Sequence, residues 1–283
     1  MVPLHHGAMA PGTSTGVTTA RLLTVNLWGW GVDWSERRRR LAAGIAWLRP
    51  DLVTFQEAVR TDEIDEVSAL LGDEYRVVHQ TSRADDGVGI TTASRWPVGQ
   101  VEELDLHVTP RTEEFACTTL VTEVLAPEPL GRVWLANHLP SWEPDLEYER
   151  CLQSVVAARG LDRLVQERPG HVVVAGDLDA DPDAGSMRFW TGRQPLDGWS
   201  VCYRDAWDAV HPGEPGATFS PENPYVTDHD WPFRRIDYIL VRCGRHGGPT
   251  LAIRDCRRVF DGVGDAVSDH YGVLADLAVP GAR

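Results

Sequence analysis

Arg21-Leu22-Leu23-Thr24-Val25-Asn26 and Asp51-Leu52-Val53-Thr54-Phe55-Gln56-Glu57 decide how this chain folds, together with the stretch between them. Both are apolar runs of strand length that end in a polar side chain. Residues 35–47 carry Leu41 and Ile45 on one face, with Leu48 following, and this spacing predicts a helix. A strand, a crossover helix and a second strand give parallel neighbours, because the helix returns the chain to the end of the sheet where it began. Asn26 and Glu57 then stand at corresponding strand ends.

The same arrangement recurs outward from this unit. Val133-Trp134-Leu135-Ala136 leads into Asn137-His138, and Val172-Val173-Val174-Ala175-Gly176 leads into Asp177 and Asp179. Asp237 lies inside Arg235-Ile236-Asp237-Tyr238-Ile239-Leu240-Val241, and Ser268-Asp269-His270 precedes a closing apolar run. If these strands are neighbours, their polar ends converge on one rim, where carboxylates hold a hard divalent cation and histidines handle protons and phosphate.

Further helices are predicted over residues 64–71 and 145–166, and a short one over 186–190. Strands are predicted over 75–79, 89–94, 171–175, 236–242 and 272–277. Residues 115–124 and 132–137 read as an antiparallel pair joined by a proline-rich turn. Arg95-Trp96-Pro97 breaks the run before them, and residues 213–231 form a long loop rich in Gly, Pro and Asn. No repeat or linker divides the sequence, so residues 21–280 are expected to form one domain behind a flexible leader of residues 1–20.

Composition bounds the function. Hydrophobic residues make up 42% and charged residues 24%, enough for a sizeable core. The formal net charge of -15 repels polyanions and disfavours a dedicated nucleic-acid binder, although a bound cation would reverse the field locally. The five cysteines, Cys117, Cys151, Cys202, Cys243 and Cys256, are widely spaced and form no metal-binding pattern, which fits reduced thiols in a cytoplasm. No run is apolar enough to span a bilayer, and no membrane or obligate protein partner is expected.

Seven motifs, in order, resemble the endonuclease/exonuclease/phosphatase superfamily. They are Thr24-Val25-Asn26-Leu27, Thr54-Phe55-Gln56-Glu57, Ser94-Arg95-Trp96-Pro97, Asn137-His138-Leu139, Gly176-Asp177-Leu178-Asp179-Ala180-Asp181, Arg235-Ile236-Asp237-Tyr238 and Ser268-Asp269-His270. The resemblance implies a four-layer α/β sandwich, two packed mixed β-sheets flanked by helices, with a metal site at one edge. It also implies Mg2+ or Mn2+ as cofactor, with Glu57 as principal ligand and Asn26 and Asp269 helping. By the same resemblance His138, Asp177, Asp237 and His270 are catalytic: Asp237 orients His270, Asp177 orients or deprotonates water, and His138 donates to phosphate or leaving group.

Substrate contacts are expected from Asp179, Arg150, Arg111, Trp142 and Asn223, with Arg234 a weaker candidate. Bland readings stand beside these: a strand-end His is commonly a packing residue, and a helical Arg is commonly solvated. Arg37-Arg38-Arg39-Arg40 reads as a solvated helix surface rather than a nucleic-acid patch. Trp28, Trp30, Trp34, Trp96, Trp142 and Trp231 fall near loops that rim the site, where aromatic walls suit a base, a sugar face or an organic leaving group.

One departure stands out. The family usually has Asn where this chain has Asp179, and an ionised Asp can accept hydrogen bonds but not donate them. The resulting expectation is a metal-dependent hydrolase of phosphate esters, diester or monoester, acting on a phosphorylated small molecule or nucleotide through metal-positioned water. The alternatives are a nuclease of the same fold and a non-catalytic binding protein that kept the fold.

Overall fold

The computed structural model describes residues 18–227, 230–262 and 264–281. In chain order it contains β1 (Thr19–Asn26), α1 (Trp34–Leu48), β2 (Leu52–Val59), α2 (Glu66–Leu71), β3 (Arg76–His79) and β4 (Val88–Ser94). There follow β5 (Val98–Asp105), β6 (Thr118–Leu125), β7 (Arg132–Leu139), α3 (Glu147–Glu167), β8 (His171–Asp177) and α4 (Gly185–Trp190). The chain closes with β9 (Tyr203–Asp205), α5 (Ala206–Val210), β10 (Asp237–Arg242), β11 (Ala252–Val259) and β12 (Gly272–Ala278).

Two six-stranded mixed sheets result, in the orders β11-β12-β1-β2-β4-β3 and β5-β6-β7-β8-β10-β9. β1 and β2 are parallel, with Asn26 opposite Gln56, as the strand, helix, strand pattern requires. β6 and β7 form the expected antiparallel hairpin. The leader boundary is corrected: Thr19 and Ala20 belong to β1, whose antiparallel pairing with β12 runs on to Ala278 and Leu277. Residues 1–17 of the expected leader lie outside the described residues.

Alternation along the strands builds the layers. Leu22 of β1, Leu135 of β7, Val173 of β8, Ile239 of β10 and Ala275 of β12 point between the sheets and form the central core. Their neighbours point outward: Leu23 and Val25 pack under Leu41, Ile45 and Leu48 of α1, while Trp134 and Val174 pack under α3 and α4. The layers therefore run helix, sheet, sheet, helix, which is the expected four-layer sandwich. No helix among the described residues is long and apolar enough to cross a membrane.

Towards one rim the space between the sheets turns polar. Thr24 Oγ1 lies 3.3 Å from Gln56 Oε1, and Gln56 Nε2 donates to Asn137 Oδ1 at 2.7 Å. Asn137 Nδ2 donates to the carbonyls of Phe55 and Thr91. This buried ladder locks the sheets together beneath the strand ends, and its members are fully paired, as buried amides must be.

Candidate active site

Strand register sets the centre of the site. β8 and β10 are antiparallel with Asp177 directly opposite Asp237. The strand position before Asp177 needs glycine: a Cβ on Gly176 would lie 2.2 Å from the His138 carbonyl oxygen of the neighbouring strand. His270 arrives from the segment before β12, and its Nδ1 lies 3.0 Å from Asp237 Oδ2 and 3.7 Å from Asp177 Oδ2. Nδ1 is thus committed to Asp237, which leaves Nε2 to the cavity that His270 lines.

Glu57 reaches this centre through a break in β2. The register between β2 and β4 shifts between Phe55 and Ala58, and Glu57 sits at φ 50°, a left-handed conformation that a bulge imposes and that redirects its side chain. Asn26 Nδ2 bridges Glu57 Oε1 at 2.9 Å and Asp177 Oδ2 at 3.0 Å. The Trp28 backbone N–H can only donate, so the amide atom it meets at 2.8 Å is Asn26 Oδ1. Asn26 therefore stands as a donor between two carboxylates, with one of its oxygen's two lone pairs taken by the Trp28 N–H.

Asp179 also sits in the left-handed region, at φ 51°, and lines the cavity with Glu57, Asp177, Asp269 and His270. Ser268 Oγ donates to Asp269 Oδ1 at 3.0 Å and accepts from the His270 N–H at 3.2 Å, which fixes the Ser-Asp-His turn. Burial, reinforced by Asp269, raises the Glu57 carboxyl above the usual carboxylate range. Burial and the charges of Asp179 and Asp237 raise Asp177 well above it. Burial raises Asp179 to about 7; His270 and Arg150 oppose that rise, and Glu57 and Asp237 add to it. For His270 burial opposes the charge, but Asp237 and Asp177 outweigh it and hold the imidazolium well above its ordinary range.

This is a site with more buried negative charge than its side chains neutralise. The Asp237 Oδ1 atom is buried without a hydrogen-bond partner. Ligating atoms of Asp177, Asp237 and His270 lie within 4.8 Å of one another, and Glu57, Asp179 and Asp269 add carboxylate oxygens to the same cavity. An oxygen-rich donor set with uncompensated charge fits a hard divalent cation.

Four expected site residues lie elsewhere. Because Asn137 faces the other sheet, His138 points the opposite way on β7; it is buried, its Nδ1 lies 2.7 Å from Thr119 Oγ1, and its ring packs 5.9 Å from Trp190. Burial lowers its pKa to about 3. Arg150 is buried too, and its donors are taken by the Ser141 and Glu143 carbonyls and by Glu147, so it braces the loop that carries Trp142. Arg111 pairs with Asp145 and Glu149 outside the cavity. Asn223 donates to the Ser268 carbonyl and accepts from the Tyr225 N–H, tying the long loop to the Ser-Asp-His turn. Trp142 does line the cavity.

A sequence profile of the Endonuclease/Exonuclease/phosphatase family matches residues 23–270, from β1 through His270. The chain belongs to this family. Members of the endonuclease/exonuclease/phosphatase family are in general divalent-metal-dependent phosphoesterases and nucleases. Similar solved structures include a truncated TDP2 from Caenorhabditis elegans, with a TM-score of 0.72 at 18% identity, covering 92% of this chain and 98% of that one. A D. rerio TDP2 complexed with single-strand DNA product has a TM-score of 0.71 at 18% identity, covering 92% and 99%. The human Nocturnin catalytic domain with bound sulfate has a TM-score of 0.71 at 16% identity, covering 93% and 96%. No curated protein matches the chain by sequence.

Within this family fold, the sequence reading undervalued one arginine and misread another. Arg234, ranked low, lines the cavity. Arg37, read as solvated, is fully buried: it donates to the carbonyls of Leu27, Gly31, Val32 and Val267 and sits 5.1 Å over the Trp28 ring. The signal for Arg37 was its spacing, since positions 37, 41, 45 and 48 share one helix face.

Proposed function

We propose that this chain hydrolyses phosphate esters with water, using a divalent cation of the Mg2+ or Mn2+ class. The observation that carries the reading is the opposition of Asp177 and Asp237 across β8 and β10 with His270 against both, in one cavity with Glu57 and Asp269. Glu57 and Asp269 would hold the cation, with Asn26 fixing Glu57 relative to Asp177. When bound, that cation would neutralise the phosphate's non-bridging oxygens and lower the pKa of water.

The chain's own residues supply the rest. Asp177, held proton-avid by burial and neighbouring charge, is suited to orient water and take its proton as the water oxygen attacks phosphorus. His270, kept charged by Asp237, presents Nε2 to the phosphate and stabilises the charge that builds as the bond to the leaving oxygen breaks. His138, whose ring turns away from the cavity towards Thr119 and Trp190, has no part in this scheme. The family's metal-dependent chemistry supports the reading, and the retained carboxylates weigh against a non-catalytic binding protein.

A nucleic-acid substrate is the second reading, motivated by the D. rerio TDP2 complex with single-strand DNA product. The net charge of -15 and the single arginine among the described cavity-lining residues weigh against it, because a strand needs many phosphate partners. All five cysteines are free thiols, which supports a cytoplasmic setting. The discriminating experiment is a panel of nitrophenyl phosphate, bis-nitrophenyl phosphate, nucleotides, RNA and DNA, each with Mg2+, Mn2+ or chelator. Chelator-sensitive turnover of small esters over polynucleotides supports the first reading, and the reverse order supports the second.

A further inference from the structure

The cavity above the carboxylates offers about 270 Å3 and opens to solvent, and its walls differ from its floor. Trp142 and Trp231 stand together with ring centroids 5.8 Å apart, and Phe219 continues the wall 6.3 Å from Trp231 and 5.3 Å from His270. Phe219 bridges to both Arg234 and His270 in the backbone, so the aromatic wall, the histidine and the arginine form one connected unit.

Arg234 is the only arginine among the described lining residues, and the chain contains no lysine. Its Nε is buried without a hydrogen-bond partner. Among the described residues its Nη1 makes a long contact to the Asp179 carbonyl at 3.4 Å and lies 3.9 Å from Asp181. A planar guanidinium beside a carboxylate, with its Nε unpartnered among the described residues, is built to receive an anionic oxygen.

We propose that the substrate is an ester with a single phosphate and a flat ring, in which Arg234 takes the phosphate and Trp142 and Trp231 take the ring. This rests on the phosphoesterase reading and narrows it. Arg234 supplies the hydrogen-bond donor that Asp179 withholds when ionised. A second phosphate on the substrate finds no second arginine among the described lining residues. The space between the aromatic wall and the carboxylates, about 270 Å3, takes one ring beside the phosphate, and anything longer would extend through the open side of the cavity. The ring stacks or packs edge-on against indoles, which bind any planar π-face and therefore accept a phenol or a nucleobase.

The test is binding of phosphonates, whose carbon–phosphorus bond the reaction does not cleave. Tryptophan fluorescence and calorimetry with Mg2+ would compare phenylphosphonate, a nucleoside phosphonate and methylphosphonate. At least one ring-bearing compound should bind about tenfold or more tighter than methylphosphonate, and which one does so separates a phenol-like from a nucleobase-like substrate. Trp142→Ala should abolish that preference, Trp142→Phe should keep it, and Arg234→Ala should weaken all three compounds while leaving the preference in place. Equal affinity for the three in the wild type, or a preference that survives both Trp142→Ala and Trp231→Ala, would overturn the proposal. Ring preference without hydrolysis of any ester would overturn the phosphoesterase reading alone, and hydrolysis without ring preference would overturn this inference alone.

Discussion

Asp237 and Asp177 face each other across the β8–β10 ladder, and His270 Nδ1 is 0.7 Å nearer to Asp237, at 3.0 Å against 3.7 Å. The ladder places two buried carboxylates where a cation, the imidazolium or a proton must offset their charge, and the shorter contact decides which one owns the histidine. Asp237 therefore sets the orientation and charge of His270, while Asp177 stays available to water.

Asp237→Asn keeps the shape of this pair and removes its charge. Turnover should fall by about 10²-fold or more, the scale of a lost acid–base partner, while thermal unfolding stays cooperative. Steady-state kinetics on a nitrophenyl ester, beside a melting curve, checks this. Wild-type turnover in the variant would detach Asp237 from His270's role.

His138 gives a pH prediction that is structural, not catalytic. Its folded pKa of about 3 lies below its unfolded value near 6.5, so the unfolded chain takes up a proton that the folded chain refuses. The stability contributed is complete above about pH 6.5 and declines as pH falls from there towards 3. His138→Asn should lose less stability than wild type between pH 7.5 and 4.5 in chemical denaturation, and should retain turnover. Equal losses in the two proteins would contradict the burial argument.

Much of this was legible in the sequence. The strand-end residues Asn26, Glu57, Asp177, Asp237, Asp269 and His270 do meet, because period-two runs on sheets bring strand ends to one rim. The strands that went unread, β5, β9 and β11, are all sheet edges. β5 and β11 alternate partly exposed positions and carry charges, the usual dress of an edge strand, and so lack an apolar run. His138 was misplaced because its neighbour Asn137 took the inward position, and alternation then forces the histidine outward. Arg150, Arg111 and Asn223 hold loops around the site, a task set by tertiary carbonyls and acids that no local pattern displays.

Arg37 shows how far a charged residue can serve packing. Its four carbonyl partners belong to the Trp28 loop and the Val267 segment, the two walls that carry Trp28 and Asp269 to the cavity. Arg37→Ala leaves those carbonyls unpaired and should cost about 3 kcal/mol or more of stability, read as a lower denaturant midpoint. A change below about 0.5 kcal/mol would show that water replaces the guanidinium freely.

Asp179→Asn tests the departure from the family pattern. In the metal-free protein the Asp179 carboxyl, raised to about 7, is neutral below that pH and negative above it, so anion binding should weaken as pH rises through about 7. Sulfate, a dianion throughout, isolates the effect in a calorimetric titration. The Asn variant should bind sulfate more tightly above pH 7 and show a flatter profile, while a steeper profile would give Asp179 the opposite role.

The most direct test of the central claim joins cation binding to turnover in Glu57→Gln. Calorimetry with Mn2+ and hydrolysis of bis-nitrophenyl phosphate would be measured on the same folded protein, with and without chelator. The account predicts turnover only with the cation, and at least tenfold weaker cation binding together with lost turnover in the variant. Turnover that survives the chelator, or a Glu57→Gln protein that binds the cation and turns over like wild type, would contradict it.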